Sequence, residues 1–196
     1  MGVLVDDLLL LARLDQQRPL ERASLDVVDV VEAAAEALRV AAPDREVRVT
    51  APASVDVVGD AVRLRQVLDN LCANARVHTT AGSPVELTVA AEDSWVRVDV
   101  RDHGPGMAPD EVARAFTRFY RGDASRTRAR GAGTGLGLSI AQAVVEAHGG
   151  TVSLASTPEG GTTVTLRLPA APVDGPASEA PATQQASTGP TAVGRV

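Results

Sequence analysis

The chain has 196 residues, 44% of them hydrophobic, and a formal net charge of -6, which fits one globular domain with extensions rather than two full domains. This charge argues against a general binder of nucleic acid or of anionic membranes, because such proteins present a broad positive face. All 19 basic residues are arginine, so a P-loop and the strand lysine of eukaryotic-type protein kinases are excluded, and the single Cys72 excludes an internal disulfide.

The first predicted element is an amphipathic helix over residues 3–16. Leu4, Leu8 and Leu11 recur at the three- and four-residue spacing that lines one helix face. Further leucines make this helix more apolar than a single packing contact needs. The pattern is therefore typical of one half of a helical hairpin.

The next elements alternate between short strands and helices. In chain order they are a helix from Asp26 that stops by Pro43, strands in residues 45–51 and 54–60, a helix over Asp60 to His78, strands in residues 84–92 and 94–102, a short helix from Pro109, a helix from about Thr134 to His148, and strands in residues 151–157 and 161–169. The last two pairs of strands are predicted to be hairpins, and the fold class is α+β. From Ala170 onward the composition predicts a disordered tail.

The helix ending at His78 contains the first candidate site. Asn70 and Asn74 stand four apart, so their amides share one face of the helix. Amide oxygens are hard ligands of the kind that Mg²⁺ accepts, together with phosphates and water. An amphipathic helix with two exposed amides explains the same spacing, and both interpretations stay open at this point.

Two glycine-containing segments follow. In DHGPGM, Asp102 ends a strand and Gly104 and Gly106 allow the backbone to approach a ligand, so the carboxylate is placed to accept a hydrogen bond from the amino group of adenine; a plain turn is the alternative. GAGTGLGLSI, residues 131–140, is a glycine-rich segment that leads into the start of a helix, an arrangement typical of an anion-binding site. It lacks the G-x-G-x-x-G spacing of Rossmann folds. The arginine-rich stretch before it predicts a mobile flap over a triphosphate, a solvated basic loop or a nucleic-acid patch.

Five segments in this order closely resemble the N, G1, F, G2 and G3 boxes of sensor histidine kinases, namely RLRQVLDNLCANA, DHGPGM, FTRFYR, GAGTGLGLSI and GGTTVTL. The resemblance covers about residues 20–169. It implies a Bergerat fold, a two-layer α/β sandwich whose mixed, mostly antiparallel sheet is covered on one face by helices. It also implies three parts: the end of the second helix of a dimerisation hairpin over 1–18, an ATP-binding catalytic domain over 19–169, and the tail over 170–196.

The resemblance also implies roles for individual residues. Asn74 corresponds to the magnesium ligand and catalytic residue, with Asn70 beside it, and Asp102 corresponds to the carboxylate that recognises adenine. The other nucleotide-binding positions that it implies are Gly104, Gly106, Arg118, the catalytic Arg121, Gly133, Thr134, Gly135, Leu136, Gly137 and Thr163.

The chain departs from the family pattern directly after the N box. Many relatives have a lysine and then an aromatic residue where this chain has Val77 and His78. We expect Arg76 to replace the lost charge and His78 to stack on the nucleotide, while a packing role explains His78 equally well.

The function that the resemblance implies is transfer of the γ-phosphoryl group of ATP, with Mg²⁺, to a histidine of a dimerisation domain. ATP-hydrolysing relatives carry a glutamate where this chain has Asn70, and a neutral amide cannot act as a general base for water. An ATP-binding module without kinase activity and a serine kinase or ATPase of the same superfamily are the alternatives.

The expected partners are ATP, a histidine-bearing dimerisation domain and a response regulator, without nucleic acid. No histidine precedes His78, so we expect a fragment of a longer protein that does not phosphorylate itself at the usual site. The parent is expected to be a membrane-anchored homodimer with this domain in the cytoplasm. No apolar stretch reaches the roughly 18 to 20 residues that span a bilayer, so no membrane contact is expected of this chain.

Overall fold

The computed structural model describes residue 5 and residues 8–12, 20–121 and 134–172. The helices and strands in the two long ranges are, in chain order, β1 (Ala23–Asp26), α1 (Val27–Ala41), β2 (Val47–Thr50), β3 (Asp56–Gly59), α2 (Ala61–His78), β4 (Val85–Glu92), β5 (Trp95–Asp102), α3 (Pro109–Val112), α4 (Gly137–Ala147), β6 (Thr151–Thr157) and β7 (Gly161–Pro169). Residues 8–12 are helical as well. The rest of the predicted first helix, the arginine-rich stretch over 122–133 and the tail from 173 lie outside the described residues.

A five-stranded sheet forms one layer of the domain. Its strand order is β2-β4-β5-β7-β6, and a second, two-stranded sheet pairs β1 with β3. Only β2 and β4 run parallel within the large sheet, and the other neighbours are antiparallel. The predicted α+β class with a mixed, mostly antiparallel sheet is therefore confirmed.

The helices cover one face of the large sheet. Along β5 every second residue is buried, as at Val96, Val98 and Val100, so one side of the strand faces the core. The middle helix α2 packs between α1 and α4 and buries Leu64 and Leu68 against the sheet. The hydrophobic core lies between these two layers.

Two aspartates begin the two long helices at the places that the sequence predicts. The carboxylate of Asp26 accepts a hydrogen bond from Val28 N at 2.9 Å at the start of α1, and that of Asp60 accepts one from Arg63 N at 3.1 Å at the start of α2. The last long helix begins at Gly137 rather than near Thr134.

Two features of the fold differ from the predictions. The strand β1 was not predicted, and β3 pairs with it instead of joining the large sheet. Residues after the predicted domain end also remain hydrogen-bonded, since Ala170 N donates to Ser94 O and Ala171 N donates to Asp56 O. In the described ranges no helix combines the length and the apolarity that crossing a bilayer requires.

Candidate nucleotide-binding site

The two asparagines of α2 face the first residue of α4. A Cβ placed on Gly137 would lie 3.7 Å from Asn70 Cβ and 3.7 Å from Asn74 Nδ2. The buried side-chain nitrogen of Asn70 has no hydrogen-bond partner within the described part of the chain. Two predicted segments that are far apart in sequence therefore meet here, beside an amide nitrogen whose donor capacity is not used within the described ranges.

This end of the site fits a hydrated magnesium ion with phosphates. Amide oxygens are suitable hard ligands, and Mg²⁺ takes few ligands from a protein when phosphates and waters supply the others. The unpaired Asn70 nitrogen is a buried donor, which costs stability unless an acceptor such as a phosphate oxygen satisfies it. The backbone N–H groups in the first turn of α4 add an electrostatic preference for anions on the same side.

Asp102 forms the other end of the site, at the end of β5. Gly104 N donates to its Oδ1 at 2.9 Å. Burial raises the pKa of Asp102 above its ordinary value, although hydrogen bonds from the backbone of Gly104 and Thr162 and the nearby His78 and His103 oppose this shift. A half-buried carboxylate of this kind offers a strong acceptor to a ligand that brings its own donor.

The glycines after Asp102 are required by close packing. A Cβ on Gly104 would lie 2.7 Å from the Thr79 side chain and 3.3 Å from His78 O, at the end of α2. Gly106 has a φ of 69°, and a Cβ there would overlap the carbonyl oxygen of Thr157. The loop is thus held between the end of α2 and the end of β6.

Arg45 supports the same region, and the sequence analysis missed it. Its guanidinium is buried and donates to Thr79 Oγ1, to Ser83 O at 2.8 Å and to Thr80 O at 3.0 Å. Burial lowers the pKa of Arg45, and the charge of Asp102 acts in the opposite direction. An isolated arginine before a strand looks like a surface residue in sequence, so no pattern indicated this role.

The F and G2 segments are joined through their backbones. Phe119 N donates to Gly135 O at 3.0 Å. Gly135 has a φ of 72°, and a Cβ there would lie 3.0 Å from Tyr120 O. Of the predicted arginines, Arg118 is exposed and Arg121 is half-buried on this segment. The described residues on the two sides of the stretch 122–133 are therefore close together.

The remaining predicted positions of the G2 segment differ in their surroundings. Thr134 is exposed and its Oγ1 accepts from Leu136 N at 3.3 Å. Leu136 is fully buried, and its carbonyl accepts from Ile140 N, so it anchors the helix in the core rather than facing a ligand. Gly133 lies outside the described residues.

The helix geometry separates Arg76 from the two asparagines. At 100° per residue, Arg76 lies about 200° around α2 from Asn74. Its charge instead acts on Arg45, whose pKa it helps to lower. Val77 and His78 lie within about 60° of Asn74 and are both exposed. This placement argues against Arg76 as the substitute for the missing lysine and keeps His78 on the face of the candidate site.

The strand register favours Thr162 over Thr163 as the neighbour of Asp102. Asp102 pairs directly with Thr162, while Thr163 pairs with Arg101. Directly opposed residues share a face of the sheet, and Thr162 lies on the buried face with Asp102. The side chain of Thr163 lies on the outer face, so of the two adjacent threonines Thr162 is the better placed to face a ligand beside Asp102.

Comparisons with known proteins identify the family of this domain. Residues 59–172 match the family model described as histidine kinase-, DNA gyrase B-, and HSP90-like ATPase. The chain is 47% identical over 167 residues to a probable sensor histidine kinase, TcrY, of Mycobacterium tuberculosis, a match that covers 85% of this chain and 35% of TcrY.

Solved structures show the same similarity. Full-length ShkA in complex with AMPPNP is 32% identical with a TM-score of 0.73, over 86% of this chain and 35% of that one. The mycobacterial sensor histidine kinase MprB is 28% identical with a TM-score of 0.67, over 76% of this chain and 97% of that one. The chain thus spans about a third of the length of TcrY. It belongs to the family of histidine kinase-, DNA gyrase B- and HSP90-like ATPases, and its relatives include the probable sensor histidine kinase TcrY and the sensor histidine kinase MprB.

Proposed function

We propose that this chain binds ATP with Mg²⁺ in the site between α2, α4 and the end of β5, and that it transfers the γ-phosphoryl group to a histidine. The main support is that one helix serves both ends of the site. Asn70 and Asn74 face the start of α4, and His78, one turn further on, lies beside the loop after Asp102. At a rise of about 1.5 Å per residue, Asn70 and His78 lie about 12 Å apart along the helix, so the metal end and the base end of the site are separate.

Each residue then has a defined task. Asn74, with Asn70 beside it, holds the metal ion, and the first turn of α4 receives the phosphates. Asp102 accepts a hydrogen bond from the amino group of adenine, and Gly104 and Gly106 give that loop its close packing. Arg118 and Arg121 supply positive charge for the phosphates, because guanidinium groups suit phosphate oxygens. Mg²⁺, when bound, neutralises charge that develops on the transferred group.

Transfer is favoured over hydrolysis by the residue at position 70. A neutral amide has no basic lone pair that takes a proton from water, so Asn70 does not act as a general base. The γ-phosphoryl group is then kept for another acceptor. We propose that this acceptor is a histidine of a dimerisation domain, within a homodimeric parent that passes the phosphoryl group to a response regulator in the cytoplasm.

The three histidines of the chain do not suit the role of acceptor. His148 is buried with both ring nitrogens in hydrogen bonds, and His78 and His103 lie beside Asp102 at the adenine end. A phosphoryl acceptor has to approach the γ-phosphate in line with its leaving oxygen. This arrangement supports an acceptor histidine that is not one of these three.

Nucleotide binding is tested by calorimetric titration with AMPPNP and Mg²⁺. Asn74→Ala and Asp102→Ala should each weaken binding by roughly tenfold or more, since each removes a charge-assisted or metal contact. Asp99→Asn on the outer face of β5 is the matched control and should bind as the wild type does. A folded wild type that does not bind AMPPNP would refute the proposal.

Transfer is tested separately, with ATP labelled at the γ-phosphate and an isolated dimerisation domain from a related sensor kinase. The proposed kinase activity is supported if the label appears on the acceptor histidine with the wild-type chain and does not appear with Asn74→Ala. The exposed Val77, which stands where relatives carry lysine, favours one alternative, an ATP-binding module without kinase activity. Binding without transfer to any supplied dimerisation domain would support that alternative.

A further inference from the structure

The hydroxyl group of Ser156 connects three parts of the candidate site. Ser156 lies on β6 directly opposite Thr162 of β7. Its Oγ lies 2.7 Å from Gly161 O, 2.9 Å from Met107 N and 3.0 Å from Thr162 Oγ1. The same atom therefore contacts the loop that follows Asp102 and the residue that pairs with Asp102.

These three contacts determine the direction of each hydrogen bond. A serine hydroxyl has one proton and two acceptor lone pairs. The carbonyl of Gly161 only accepts, so Ser156 donates its proton there, and Met107 N–H only donates, so Ser156 accepts from it. The contact with Thr162 is then a hydrogen bond only if Thr162 donates. Ser156 Oγ thus accepts a hydrogen bond from the hydroxyl of Thr162.

The consequence is a change in what Thr162 offers to a ligand. With its proton committed to Ser156, the Thr162 oxygen presents only lone pairs. Asp102, on the same face and directly opposite, is also an acceptor when ionised. Two neighbouring acceptors suit a ligand edge with donors, such as the amino group of adenine. They disfavour an edge with a carbonyl, such as O6 of guanine, because two acceptors that face each other remain unpaired.

We propose that Ser156 is a positioning residue for base selection: it accepts a hydrogen bond from the Thr162 hydroxyl, leaves only acceptors in the pocket beside Asp102, and so favours adenine over guanine nucleotides. This inference rests on the proposed nucleotide-binding function. Ser156 does not touch the base in this arrangement, since it acts through the orientation of the Thr162 hydroxyl.

The test compares the dissociation constants for ADP and GDP, measured by calorimetry with Mg²⁺. In Ser156→Ala the Thr162 hydroxyl is free to rotate and to donate to guanine. The preference for ADP should then narrow by roughly three- to tenfold, the worth of one or two exchanged hydrogen bonds. Ser156→Thr keeps the hydroxyl group and should therefore keep the wild-type preference for ADP over GDP. Ser153→Ala, on the exposed face of the same strand, is the matched control and should keep it.

The ratio of the ADP and GDP dissociation constants distinguishes a positioning role of Ser156 from a purely structural one. A purely structural role of Ser156 would weaken ADP and GDP binding by the same factor, and that result would overturn the inference. Thr162→Val gives a second test if Ser156→Ala does not fold, because it keeps the side-chain shape and removes the acceptor. It should narrow the preference by itself, and an unchanged preference would overturn the inference.

The double variant tests whether Ser156 acts through Thr162. In the Thr162→Val background, Ser156→Ala should leave the ADP to GDP ratio unchanged, because no hydroxyl remains to be oriented. A further change in the ratio would contradict the inference. A folded wild type that binds neither nucleotide would refute the proposed function together with this inference. If the wild type prefers ADP and Ser156→Ala keeps the same preference, this inference alone is refuted.

Discussion

His148 Nε2 accepts a hydrogen bond from the backbone N–H of Asp60 at 2.9 Å, although the two residues are 88 positions apart. His148 Nδ1 lies 2.7 Å from Val144 O, to which it donates. One neutral imidazole thereby joins the end of α4 to the start of α2, the two helices that flank the candidate site. Gly59 leaves room for the ring, since a Cβ there would lie 2.7 Å from His148 Cδ2.

This link predicts a loss of stability in mild acid. Burial lowers the pKa of His148 below its ordinary value of 6.5, and the charge of Arg22 acts in the same direction. The unfolded chain therefore binds a proton at higher pH than the folded chain does, so the contribution of His148 is present above pH 6.5 and is lost as the pH falls through the folded pKa.

Urea unfolding between pH 7.5 and 5 measures this effect. His148→Gln should lower the free energy of unfolding at pH 7.5 by about 1 to 3 kcal/mol, since a buried hydrogen-bonded group is replaced, and should flatten the pH dependence. The same slope in wild type and His148→Gln would show that another group titrates.

Asp102→Asn should increase stability at neutral pH while it weakens nucleotide binding. Burial raises the pKa of Asp102 above 3.8, so ionisation of this carboxyl group lowers the free energy of unfolding once the pH exceeds the raised pKa. The amide variant removes this cost and keeps an acceptor for Gly104 N. The urea midpoint of the variant should exceed that of the wild type at pH 7, and the difference should shrink as the pH falls towards 3.8.

The matching AMPPNP titration at pH 7 should show weaker binding by Asp102→Asn than by wild type, because an amide is a poorer acceptor than a carboxylate. Opposite changes in stability and affinity are typical of a functional group retained at some cost to the fold. A variant that is less stable than wild type at pH 7 would show that the carboxylate stabilises the loop.

Two glycines near the start of α4 should respond differently to alanine. Gly137→Ala places a Cβ at ordinary contact distance, 3.7 Å from Asn74 Nδ2, in a helical residue, so stability should rise by about 0.5 to 1 kcal/mol. The same methyl group reduces the space beside the two asparagines and should weaken AMPPNP binding.

Gly135→Ala is the contrasting variant. Its φ of 72° and the 3.0 Å approach to Tyr120 O should destabilise the protein by about 1 to 3 kcal/mol. Thermal unfolding of both variants, with AMPPNP titration at a temperature where each is folded, separates the two effects. Equal stability of the two variants would contradict the role assigned to the Phe119–Gly135 contact.

Cys72 should be unreactive in the folded protein. Burial raises the pKa of its thiol to about 12, and the charge of Asp69 adds to this shift. Because the thiolate is the reactive form, a disulfide reagent at pH 8 should modify the native protein slowly and the urea-unfolded protein within seconds to minutes. Rapid modification of one thiol per folded chain would mean that α2 opens locally.

Local patterns were enough to predict most elements of the fold. Asp26 and Asp60 begin α1 and α2 as predicted, and the turns at Asp93 and Pro158 close the two hairpins, because caps and turns are made by residues close in sequence. The strand β1 was missed because its four residues are defined by pairing with β3, more than 30 residues later. Such pairing leaves no periodic pattern in so short a segment.

The sequence by itself determined the family resemblance, the α+β class and the segments that form the candidate site, since motif residues and periodicity are local properties. Only the tertiary structure decided which side chains share that site. It placed Thr162 rather than Thr163 opposite Asp102, turned Arg76 away from Asn74, buried Leu136, and brought in Arg45 and Ser156. The physical reason is that strand register, helix rotation and burial depend on contacts between segments distant in the chain, and one position along a strand reverses the face that a side chain occupies.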